Sequence, residues 1–111
     1  MSDVAKLEEQ LAQNEERIKL GRVLTRLSQN ADFKEAIINQ FSTIDCARYA
    51  RESVDPALSA EDRASALAFA QAAGYLKQWI MIQLRFADTA ESQKNELLDV
   101  LAEVRSEEAN A

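Results

Sequence analysis

Acidic side chains are the first candidates for chemistry in this sequence. Glu35, Asp45, Glu52 and Asp62 fall in the middle of the chain, separated by ten, seven and ten residues. Hard cations take oxygen ligands, so such a set could hold magnesium for a small hydrolytic or phosphate-handling enzyme. Di-metal sites in helical bundles normally add Glu-x-x-His, and the chain has no histidine. That lack also removes the commonest general base near neutral pH. Glu61 and Asp62, adjacent to one another, fit the start of a helix, where the dipole favours negative charge. The single cysteine, Cys46, can form neither a zinc set nor an intramolecular disulfide. It reads as an inert thiol on or beside a core face, in a reducing compartment. No GxSxG elbow is present, and Gly21 and Gly74 stand alone, so no glycine-rich loop cradles phosphate.

Basic residues offer two further patterns. Arg48, Arg51 and Arg63 surround the only proline, Pro56, with Tyr49 between the first two. Arginine clusters grip phosphate. Here Glu52, Asp55, Glu61 and Asp62 share the region, so intramolecular ion pairing is the simpler reading. Lys19, Arg22 and Arg26 form a strip at helical spacing. It fits acids on the C-terminal helix, in the same chain or in another. No residue is assigned a catalytic, cofactor-binding or metal-binding role.

The elements that carry these residues read as helix throughout. With two glycines, one proline and an abundance of alanine, leucine and glutamate, the 111 residues form an all-α, single domain. Four helices are expected, at about 3–28, 33–53, 60–86 and 89–106. In the first, Val4, Leu7, Leu11 and Ile18 make a coiled-coil-like stripe that holds Asn14, which is either a register-setting polar residue or exposed. Capping of the second falls to Asp32 with Glu35, or to Asn30. Its apolar face is read from Phe33, Ile37, Phe41 and Ile44, continuing to Arg48. Asp55 before Pro56, then Ser59 three residues before Asp62, end that helix near Ser53 and start the next at Ala60. The short connection makes the pair an antiparallel hairpin. Ala64, Leu67, Ala68, Gln71, Tyr75, Trp79, Ile82 and Phe86 are read as the core face of the third helix. Its alanine-rich end should lie tight against the proline turn, with Trp79 at the wide end opposite Phe33. Leu97, Leu98, Leu101 and Val104 give the last helix a narrow stripe, and 86–90 either continues or restarts it.

The formal charge is −6, of which the segment 88–111 supplies −5 through seven acids and two bases. This argues against nonspecific nucleic-acid or membrane binding. The first residues are charged and lack an apolar run, so no signal peptide is read there, and no apolar stretch is long enough to span a bilayer. A cytoplasmic protein is expected.

The stretch "FKEAIINQFSTIDCARYARESVDPALSAEDRASALAFAQAAGYLKQWI" combines an aromatic-led helix, an acid–arginine–tyrosine end, a "DP-L" link and an alanine-rich helix. From 33 to 84 it resembles small all-helical proteins of tailed-bacteriophage genomes. The resemblance implies a phage-encoded, oligomeric assembly accessory in the host cytoplasm or virion, and it transfers no catalytic residue. The expected function is noncatalytic, in self-assembly or binding a second protein. The expected interface is Leu7, Leu11, Ile18, Trp79, Leu97, Leu101 and Val104. Alternatives are an acidic inhibitor or adaptor for a basic protein surface, and the carboxylate–magnesium enzyme.

Overall fold

A computed structural model describes residues 3–110, and all regular structure among them is helical. Helix α1 spans Asp3–Gln29, with Asp3 in its first turn and Arg26 in its last, the charges that complement the helix dipole. Asn30 stops it and starts the next element. Its extended backbone breaks the run, and its Oδ1 accepts the Phe33 amide at 2.9 Å. The cap is therefore Asn30, while Asp32 lies within the first turn.

From Ala31 to Glu52 the chain is helical without interruption but not uniformly α. A first turn, α2 (Ala31–Phe33), passes into a π-helix, π1 (Lys34–Asp45), and then into α3 (Cys46–Glu52). The bonding shift is plain where the Cys46 amide donates to the Phe41 carbonyl, five residues back. Thr43 Oγ1 donates to the Ile38 carbonyl across the same interval, at 2.8 Å. This widening corrects the expected face. A turn closed by i→i+5 bonds is longer than an α turn, so the inward row slips by a residue. Phe33, Ile37 and Phe41 do face inward, but Asp45, Cys46 and Tyr49 continue the row. Ile44 turns out to 58% exposure, and Arg48 is exposed as well.

The proline turn forms as its residues require. Ser53 Oγ donates to the Ala50 carbonyl at 2.6 Å, closing α3. Asp55 Oδ1 accepts the Ala57 amide at 2.9 Å, and Ser59 Oγ accepts the Asp62 amide at 3.0 Å. Helix α4 then runs from Ala60 to Asn110, straight through 86–90, where neither glycine nor proline stands to stop it. The architecture is all-α, a helical hairpin flanked by terminal helices.

By backbone contacts the chain forms two compact units, 1–24 with 82–111, and 25–81. In the first, α1 and the C-terminal part of α4 are antiparallel. Glu8 meets Arg105, Glu15 meets Lys94 at 2.8 Å, and Gly21 meets Ala87. Ile18, Leu24, Ala87, Ala90 and Leu101 are its buried apolar residues, with Asn14 buried among them at 7% exposure. In the second unit, α3 lies against the start of α4. The Cys46 thiol donates to the Ala70 carbonyl at 3.5 Å, and the Tyr49 and Phe69 rings stack with centroids 5.0 Å apart.

The second unit turns α4 the other way round from the expected face. Ala66 and Ala73 are buried and Ala70, Leu76 and Ile80 half-buried, whereas Ala64, Leu67, Ala68, Gln71, Tyr75 and Trp79 are exposed. In the first unit Phe86 is likewise exposed and Ile82 half-buried. The helix is apolar on both sides here, so period alone cannot choose between them. The side that faces α3 is the one whose residues meet it directly, Phe69 stacking on Tyr49 and Ala70 accepting the Cys46 thiol.

Candidate functional site

Four carboxylates were the chemical candidates, and the fold gives each a separate local setting. Asp45 accepts from Gln40 Nε2 at 2.9 Å and lies 3.8 Å from Arg48. Glu52 pairs with Arg48 at 3.0 Å. The Asp62 amide is capped by Ser59, and Glu35 sits exposed in the first turn of π1. Among the described residues no group of three or more His, Cys, Asp or Glu side chains is placed to hold a metal ion.

The arginines near the proline turn are also engaged. Arg48 packs over the Tyr49 ring at 4.4 Å while bonded to Glu52. Those contacts, the Glu52 hydrogen bond first, hold its guanidinium above its ordinary pKa. Arg63 donates to the Leu58 carbonyl at 2.5 Å, pinning the turn. Lys19, Arg22 and Arg26 make no ion pair among the described residues. The pairing between α1 and α4 runs in the opposite sense from that expected. Acids on α1, Glu8 and Glu15, hold Arg105 and Lys94 of α4. Arg17 instead lies over the Phe86 ring, 5.2 Å from its centroid.

The stripe residues expected at an interface separate into two groups. Ile18 and Leu101 are buried, and Leu7, Leu11, Leu97 and Val104 half-buried, all where the two antiparallel segments of one chain meet. Asn14 lies in that seam, and no buried side-chain nitrogen or oxygen among the described residues lacks a partner. Trp79 belongs with the exposed side of α4, at 46% exposure, near Tyr75 at 65% and Leu67 at 47%. From Ala64 to Leu76 no residue carries a charge. From Ala64 to Leu76 the outward side of α4 is therefore uncharged and largely apolar, in a chain where 29% of residues are charged. Reading that side as core hid it. The clue was available, since the small residues Ala66, Ala70 and Ala73 share the opposite side.

The chain matches no protein-family model, no curated protein and no solved structure. Among the described residues no helix is long and apolar enough to cross a membrane.

Proposed function

We propose that the protein is a noncatalytic, cytoplasmic helical assembly protein that associates with further copies of itself through the outward side of α4. The exposed, charge-free run from Ala64 to Leu76, extended by Trp79, carries this reading. Tryptophan and tyrosine are enriched at the energetic centres of interfaces, and interface cores are depleted of charge. Two chains of net charge −6 repel overall, so contact between copies is least opposed on a side where neither presents a charge. The stripes of Leu7, Leu11, Leu97 and Leu101 are already used within one chain, which leaves α4 as the contact surface. A role as a phage-encoded assembly accessory agrees with the likeness of 33–84 to such proteins.

Light scattering over a hundredfold range of concentration tests the proposal. The wild type should be a dimer or larger. Trp79→Glu should be a monomer with an unchanged helical spectrum, because each interface would bury two unpaired carboxylates. A wild type that stays monomeric throughout would overturn the proposal.

A second reading is an acidic adaptor that binds a basic surface. The only bases of the C-terminal segment, Lys94 and Arg105, are tied to Glu15 and Glu8. Glu91, Glu96, Asp99, Glu103, Glu107 and Glu108 all remain exposed.

A further inference from the structure

The wide end of the hairpin unit, where Trp79 was expected as a filler, holds a cavity of about 410 Å³ instead. Two features of the chain create it. The π-helix and the start of α3 carry Ile38, Ser42, Thr43 and Cys46 on one wall, and the wider π turn sets this wall apart from an ordinary helical face. Across from it α4 offers Ala70, Ala73 and Gly74, which are too small to fill the gap. The space is a groove open to solvent, with Ala73 buried at its floor and Ile38, Thr43, Gly74 and Met81 exposed around its rim. Its volume lies within the range of small-molecule sites.

The lining specifies a chemistry. Phe33, Leu76, Ile80 and Met81 make most of the remaining wall apolar. The Thr43 hydroxyl and the Cys46 thiol already donate to Ile38 and Ala70. Lys77 is the only charged residue of the lining, and no carboxylate accompanies it. Nor does Lys77 form an ion pair or hydrogen bond among the described residues. Lys77 is exposed at the edge of the groove, and in a chain with 19 acids and 13 bases it gives that edge a positive sign. It favours a single negative charge on an apolar body. A phosphate dianion would leave one charge unmatched, and a cation would meet Lys77 with like sign.

We propose that this cavity binds a medium-chain alkyl carboxylate, with the chain among the apolar side chains and the carboxylate at Lys77. The site is independent of self-association through the outward side of α4.

Isothermal titration of the full-length protein with decanoate, below its micelle concentration, tests the proposal, with decan-1-ol and decylammonium as controls. Decanoate should saturate at one per chain, with the alcohol about tenfold weaker and the amine not bound. Lys77→Gln should bring decanoate down to the level of the alcohol. Gly74→Leu grows from a position where an added Cβ meets nothing within 4 Å, so it should fold normally. By occupying the cavity it should abolish binding, and Ser42→Leu should do the same from the other wall. Failure of wild type to saturate, equal uptake of the alcohol, or unchanged binding by both filling variants would each overturn the proposal. So would dissociation of oligomers by the filling variants, since a second copy would then be the occupant.

Discussion

A Cβ added at Gly21 would collide with the Ala87 Cβ, at a separation that carbon atoms do not tolerate. The obstructing atom is fixed to the backbone of α4, so relief requires the helices to part. Gly21→Ala should therefore destabilise the protein by about 1–3 kcal/mol, against a gain of about 1 kcal/mol in helix propensity. Gly74→Ala meets open space and should stabilise by about 0.5–1 kcal/mol. Urea melts of the two variants should move in opposite directions, and a Gly21→Ala variant that is unchanged or stabilised would refute the close packing of Gly21 on Ala87. Ala87→Gly in the Gly21→Ala background should restore much of the loss, as expected when the two sites are in direct contact. Both glycines stand inside helices, and nothing in their immediate neighbours distinguishes them. The residue that Gly21 approaches, Ala87, lies 66 positions away in the sequence.

Among the elements, the π-helix from Lys34 to Asp45 had no legible signal. Its residues suit an α-helix as well, and the two forms differ by a fraction of a turn accumulated over a few turns. The consequence is large all the same, because the slip takes Ile44 out of the core row and puts Cys46 into it. Bonds of the i→i+5 type are less favourable than α bonds, and this stretch has no fully buried residue. Amides from Lys34 to Asp45 should therefore exchange with deuterium markedly faster than those from Ala66 to Lys77. Equal protection of the two stretches would mean that the segment is α-helical in solution. The ends around Asn30 and the proline turn, by contrast, were readable, although the expected end at 86 and restart at 89 are absent from the continuous α4. Asn30, Asp55, Pro56 and Ser59 act through hydrogen bonds or ring geometry that span three residues or fewer, and such local chemistry survives any tertiary arrangement.

At the scale of the whole molecule, two surfaces compete for a partner. Net charge resides mostly in the C-terminal segment, while the apolar surface belongs to the start of α4. The two answer to different variables. Contact through Leu67, Tyr75 and Trp79 should be insensitive to salt, since no charge from Ala64 to Leu76 takes part. Capture of a basic partner by the exposed acids would weaken steeply as the Debye length falls from about 10 Å at 0.1 M to about 3 Å at 1 M salt. Sedimentation of the protein at these two ionic strengths should give the same oligomer. An oligomer that dissociates in salt would shift the weight to the acidic-adaptor reading.

Residues and their short-range spacing were enough to settle the all-helical class and the turn at Pro56, and to mark the narrow stripes of Leu7, Leu11, Ile18, Leu97 and Leu101 without saying what covers them. Each depends on propensity, on caps, or on a single apolar stripe, and tertiary structure showed that the two stripes cover each other within one chain. Tertiary structure alone decided which side of α4 faces the hairpin. That helix carries no charge on any side from Ala64 to Leu76, so burial energy is similar for either side, and the choice falls to the fit against α3, where Phe69 meets Tyr49 and Ala70 meets Cys46. The exposed position of Trp79 and the cavity beside Lys77 both follow from that choice.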